Sequence, residues 1–126
     1  MQLKIAEIKD IENILKLHAK YQLATIAEVD KKDGFVTTGF SKEELADIIT
    51  LEQGIFIAVE EDVVLGYVMS ASWQYWSKWP MFAFMIKDLP KLTYLGQTLS
   101  VDNSYQYGPV CIDKSVRGSG LLEKLF

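Results

Sequence analysis

The residues best suited to chemistry lie late in the chain, in Val110-Cys111-Ile112-Asp113-Lys114-Ser115-Val116-Arg117-Gly118-Ser119-Gly120-Leu121-Leu122. An apolar strand there passes through a glycine-bearing turn into the first residues of a helix. That succession makes an anion site, because the first backbone N–H groups of a helix lack partners within it and the helix dipole is positive at that end. Gly118 and Gly120 carry no Cβ and let a ligand approach the backbone, while Arg117 adds a permanent positive charge. Two familiar phosphate motifs fail. The dinucleotide fingerprint G-x-G-x-x-G breaks at Glu123, where its third glycine belongs, and the G-x-x-x-x-G-K-[ST] loop is absent. A short R-G-x-G turn after an apolar strand remains.

Other reactive side chains are few. The chain has 1 Cys and 1 His, which excludes an intrachain disulfide and the usual Cys/His zinc sites, so no metal is expected. Cys111, between Val110 and Ile112, reads as a packing thiol rather than a nucleophile paired with His18. His18 itself reads as a surface or boundary residue of a helix. Glu60-Glu61-Asp62 reads as a solvated turn. Trp73, Tyr75, Trp76, Trp79, Phe82 and Phe84 bring all 3 tryptophans into one short segment. Such a segment suits an amine or apolar acceptor, and equally a core or a subunit interface.

The elements that must position these residues are set by periodicity. Leu3 and Ile5 alternate with polar neighbours as an opening strand. Asp10 is expected to cap a helix over 11–24, with Ile11, Ile14, Leu15, Leu17 and Tyr21 as its apolar stripe. Asp30-Lys31-Lys32-Asp33-Gly34 is a polar loop. Ser41 and Glu44 have the spacing of a capping box for a short second helix buried through Leu45, Ile48 and Ile49 and ended by Gln53-Gly54. Ile55–Glu60 and Val63–Ser72 predict an antiparallel hairpin turning at Glu61-Asp62. Residues 81–87 fit either a helix or a strand, which Asp88-Leu89-Pro90 ends. Tyr105–Ile112 is a strand interrupted by Gly108-Pro109, and Leu121 starts a helix that the chain end cuts off. No repeat or linker divides the sequence, so residues 1–126 read as a single domain.

Composition excludes several classes. At 49% hydrophobic and 24% charged the chain is globular rather than disordered. Thirteen basic against seventeen acidic residues give a net charge of −4, so no global field draws it to nucleic acid. The N-terminus carries no apolar run of signal length, and the longest apolar stretch, 63–69, is far short of the roughly 20 residues a membrane span needs. No nucleic-acid or membrane partner is expected, and a lone cysteine fits a reducing, cytoplasmic setting.

The order strand, two helices, three antiparallel strands, then a helix bearing Q/R-x-x-G-x-G/A is similar to that of the GCN5-related N-acetyltransferase (GNAT) superfamily. Arg117-Gly118-Ser119-Gly120-Leu121-Leu122 follows this signature through Gly120 and departs at Leu122, where the family has Gly or Ala. The resemblance implies an α/β (α+β) fold with a mixed, mostly antiparallel sheet flanked by helices, ending here at the start of the signature helix. It implies acetyl-CoA as co-substrate, its pantetheine arm against the backbone of Val110, Cys111 and Ile112. The pyrophosphate would lie on the amides of Arg117, Gly118, Ser119, Gly120 and Leu121. It implies N-acetylation by direct attack of an amine on the acetyl carbonyl, without an acyl-enzyme. Tyr105, Tyr107 and Asp113, with Glu60 or a water chain, are the candidate bases, and Trp73, Tyr75 and Trp76 the candidate acceptor contacts. Family members continue past the signature helix with another strand and a further helix, so an incomplete domain is expected. It would lack the tyrosine that many members use as general acid. The alternative is a truncated, catalytically silent relative that binds coenzyme A or serves as an interaction module. The exposed edge of the pantetheine strand predicts a homo-oligomer.

Overall fold

The computed structural model describes residues 1–125. It is an α+β structure whose main sheet has four antiparallel strands in the order β1-β2-β3-β6. The chain forms two compact units, Met1–Met69 with the chain from Gly108 onward, and Ser70–Tyr107.

In the first unit, β1 (Gln2–Ile5) pairs antiparallel with β2 (Ile55–Glu60), Leu3 opposite Ala58 and Ile5 opposite Phe56. β2 returns as β3 (Val63–Ser72) through Glu61-Asp62, at φ of 51° and 64°. Two left-handed residues make the turn whose twist matches that of the flanking strands, as the predicted hairpin requires. α1 (Ile11–Tyr21) buries Ile11, Ile14, Leu17, His18 and Tyr21. It stops short of the expected residue 24, and Asp10 does not cap it. The buried Asp10 carboxylate instead accepts from the Glu7 N–H at 2.8 Å and pairs with Lys4 Nζ at 3.0 Å, closing a tight turn ahead of the helix. α2 (Lys42–Asp47) starts as predicted. Ser41 Oγ accepts from the Glu44 N–H at 3.1 Å, and Glu44 Oε1 accepts from the Ser41 N–H at 2.9 Å. The helix widens into a π turn over Ile48–Glu52 and ends on Gln53 at φ 48°. Ile14, Leu45, Ile48, Ile55, Ile57, Tyr67 and Met69 make the solvent-free centre of this unit's core.

β6 (Tyr105–Ile112) spans the expected irregularity at Gly108-Pro109, where Gly108 takes a φ of 116° ahead of a cis peptide bond. The short helix α5 (Leu121–Leu125) seats Leu121 and Leu125 on β3 at Gly66. A Cβ on Gly66 would stand 3.0 Å from Ile112 Cδ1 and 3.3 Å from Leu121 Cδ2, so the missing side chain permits the approach.

In the second unit, Ser72 Oγ caps α3 (Trp73–Trp76) by accepting from the Tyr75 N–H at 3.2 Å. Residues 81–87 resolve as helix within α4 (Pro80–Asp88), with Pro80 at its first position, where a missing N–H costs nothing. A small hairpin of β4 (Thr93–Tyr94) and β5 (Gln97–Thr98), not anticipated from the sequence, comes next. Trp76 is the centre of this unit, with ring centroids 5.6 Å from Tyr75, 5.2 Å from Trp79 and 5.1 Å from Phe82.

Candidate functional site

The strand-to-helix turn is organised around Asp113. Its N–H donates to Leu65 O at 2.8 Å, and its Oδ1 accepts from the Ser115 N–H at 3.0 Å and from Ser115 Oγ–H at 2.8 Å. Lys20 on α1 donates to the other carboxylate oxygen. Burial opposes ionisation of Asp113, but the hydrogen bonds from Lys20 and Ser115 outweigh it and hold the carboxyl down to about 2. The turn continues with Gly118 and Gly120 at φ of 80° and 82°, a region where a side chain is strained. Among the described residues, no heavy atom beyond the chain neighbours lies within 4 Å of where a Cβ would stand at either glycine, so their backbone faces open space.

This turn forms one side of a cleft of about 580 Å³. Val110, Cys111 and Ile112 of β6 line it with residues 116–118 and 120–123, and Tyr21 and residues 33–36 complete the wall. The strand and turn residues singled out from the sequence thus share one cleft, except Ser119, which donates from Oγ to Val116 O at 2.6 Å and braces the turn. Residues 33–36 span the end of a polar loop and the two apolar residues after it, a pattern with no local signal of a cleft wall.

Arg117 stands in the cleft, but its donors are partly committed. Nε–H donates to Ile112 O at 2.8 Å, Nη1–H donates to Asp33 O at 3.1 Å, and the guanidinium lies 4.9 Å from the centre of the Tyr21 ring. Lys114, which the sequence did not single out, pairs with Asp30 at 2.8 Å and Asp33 at 3.0 Å. Its N–H donates to Tyr21 Oη at 2.9 Å. Hydrogen bonds to Asp30 and Asp33 push the Lys114 ammonium up, and the bond from Lys114 holds Asp33 down.

Cys111 is 4% exposed, and burial pushes its thiol up to about 11. It does not pair with His18. Tyr67, buried on β3, stands between them: its hydroxyl shares a hydrogen bond of 2.7 Å with His18 Nδ1 and interacts with the Cys111 thiol. His18 is buried rather than at the surface, and burial pushes its imidazole down against the opposing effect of the Thr38 backbone. The signal for this row was Tyr67 alone, one phenol in an otherwise aliphatic stretch of strand.

Of the candidate bases, Asp113 is ionised and engaged, and burial pushes the half-buried Tyr107 phenol up. Tyr105 is 64% exposed. All three aromatic candidates are buried. Tyr75 and Trp76 sit in the ring cluster, and Trp73, 5% exposed, borders a second cleft of about 670 Å³ with Met85, Leu89, Leu92, Leu99 and Tyr105. Trp73 Nε1–H donates to Ser104 Oγ at 3.0 Å, which fixes the indole. Among the described residues no group of three or more His, Cys, Asp or Glu could hold a metal ion, and no helix is long and apolar enough to cross a membrane.

No protein-family model matches the chain, and no curated protein matches it. Solved structures do. A GNAT-like decarboxylase, GphF, in complex with isobutyryl-CoA is 18% identical with a TM-score of 0.54 over 99% of this chain and 57% of its own. The loading GNATL domain of CurA from Lyngbya majuscula is 19% identical with a TM-score of 0.54 over 98% and 53%. An N-acetyltransferase from Staphylococcus aureus Mu50 is 16% identical with a TM-score of 0.53 over 98% and 60%. The chain therefore has a GNAT-like fold and spans between 53% and 60% of the length of these three structures.

Proposed function

We propose that the 110–121 cleft binds an acyl-coenzyme A, with acetyl-CoA as donor, and that the chain serves N-acetyl transfer to an amine. The observation that carries this reading is the joining, in one cleft of a GNAT-like fold, of the end of β6 to a turn with two open, left-handed glycines and an arginine. Among the described residues β6 is the last strand of its sheet order, the edge on which a pantetheine amide would pair, with Ile112 O already accepting from Arg117 Nε–H. Gly118 and Gly120 leave room for a pyrophosphate against the backbone, and Arg117 supplies charge beside it. The cleft volume falls in the range of about 300–1,000 Å³ typical of ligand sites.

In the reaction, the amine nitrogen attacks the thioester carbonyl, a C–N bond forms, the C–S bond breaks, and the amine's proton ends on the departing thiol. The chain's contribution is alignment, and removal of a proton from the attacking ammonium. Asp113 is a poor base with its carboxyl held at about 2, so we assign it to bracing the turn. The free edge of β6 also offers a self-association surface, to be read by light scattering. A monomer at high concentration would count against it.

Calorimetric titration of acetyl-CoA and isobutyryl-CoA, with Arg117→Glu as control and melting curves to check folding, tests the site. Binding lost in a folded Arg117→Glu variant is expected. No binding by the parent chain, or equal binding by the variant, would overturn the assignment. Turnover across an amine panel tests the chemistry, and binding without turnover would identify a coenzyme A-binding module instead.

A further inference from the structure

The second wall of the cleft belongs to a loop that is anchored at its neck and only latched at its tip. Backbone hydrogen bonds close the neck, from the Leu23 N–H to Val36 O and from the Val36 N–H to Tyr21 O, both 2.8 Å, and Ile26 is buried. The tip differs. No side chain of Glu28–Asp33 is buried, and Val29 and Phe35 are 72% and 45% exposed, so apolar burial does little to hold it. The contacts joining the tip to the 113–120 turn are polar. Lys114 Nζ lies 2.8 Å from Asp30 Oδ1 and 3.0 Å from Asp33 Oδ2, and Arg117 Nη1–H donates to Asp33 O at 3.1 Å. Ion pairs as exposed as these hold weakly and are screened by salt.

Both cations belong to the 113–120 segment, whose later part the acyl-CoA reading gives to phosphate, and Lys114 pairs with Asp33 of the cleft wall. Arg117 lines the cleft, and Lys114 lies three residues before it. A diphosphate carries more negative charge than one aspartate and competes for the same donors. We propose that residues 28–35 form an electrostatically latched lid, released when a diphosphate ester binding the 113–120 turn draws Lys114 and Arg117 away from Asp30 and Asp33. The inference rests on the acyl-CoA reading and adds regulation to it: the second wall of the cleft is held by cations of the facing turn, and a bound diphosphate releases that wall. By linkage, whatever frees the lid tightens diphosphate binding.

Hydrogen exchange of the full chain, read by mass spectrometry over residues 28–35, tests this with inorganic pyrophosphate and with coenzyme A. Saturating pyrophosphate is expected to speed exchange of amides 30–34 about tenfold, the scale of losing two weak ion pairs. The double variant Asp30→Asn/Asp33→Asn should exchange nearly as fast without ligand and gain little further from pyrophosphate, because only the Arg117 bond to the Asp33 backbone O survives in it. Glu123→Gln, which removes a cleft charge outside the latch, should exchange like the parent. Unchanged or slower exchange with pyrophosphate bound, or a double variant that exchanges like the parent, would overturn the lid. If calorimetry finds that neither pyrophosphate nor coenzyme A binds, the acyl-CoA reading fails together with ligand-driven release. The double variant still decides whether the latch itself exists.

Discussion

Removing the charge of Asp113 should destabilise the protein in a way that depends on pH. A carboxyl that ordinarily titrates at 3.8 and here titrates at about 2 is stabilised by about 2 kcal/mol when ionised in the folded chain. The Lys20 side chain is 58% exposed, so solvent screening trims the expected effect to about 1–2 kcal/mol. Linkage sets the sign. The folded-state value lies below the unfolded one, so the stabilisation is fully present above about pH 4 and drains away as pH falls toward 2. Asp113→Asn keeps the shape and one oxygen for Ser115 while removing the charge that Lys20 meets. Urea unfolding followed by far-UV circular dichroism should show the variant weaker by about 1–2 kcal/mol at pH 7 and within a few tenths of the parent near pH 2.5. Lys20→Met should cost a similar amount, and the double variant little more than either single one, because the two remove the same interaction. A deficit of equal size at both pH values would refute the ionic account and leave the loss to packing.

Two further outcomes rest on the same geometry. Gly120→Ala places a Cβ in open space but at a φ of 82°. Only backbone strain opposes it, and chemical denaturation should read a loss of about 1–2 kcal/mol. A neutral result would mean that the turn readily adopts another conformation. Cys111, 4% exposed with its thiol at about 11, should have roughly one thiolate in 10,000 molecules at pH 7. Its reaction with an aromatic disulfide reagent should therefore be slow until urea unfolds the chain, and rapid stoichiometric labelling in buffer would contradict its burial.

Much of the scaffold was legible because its signals are local. The Ser41–Glu44 capping box, the hairpin turning at Glu61-Asp62 and the helical spacing from Ile11 to Tyr21 each depend on residues a few positions apart. Where local signals competed, the structure decided. Asp10 had the form of a helix cap but is claimed by the Glu7 N–H and by Lys4, the latter a partner from β1. Residues 81–87 carry an apolar pattern that two geometries satisfy, and Pro80 together with packing of Phe82 on Trp76 selects the helix. The ring cluster that suggested an acceptor site is mostly this unit's own core, since Tyr75 and Trp76 bury more apolar surface against Trp79 and Phe82 than an open wall would allow.

By itself the sequence determined the opening strand, the two helices and hairpin that follow, and the strand–R-G-S-G–helix segment, because their signals lie within a few residues of one another. It could not say what that segment faces. Asp113 meets Lys20, and Lys114 meets Tyr21, across 93 positions, while Lys114 and Arg117 reach the 30–33 loop across 84. Those pairings depend on strand register and on which face of α1 is buried, and both are set by packing the whole core rather than by any local pattern. Only the tertiary structure could show that Arg117, read as a ligand for phosphate, already holds the opposite wall of its cleft together with Lys114.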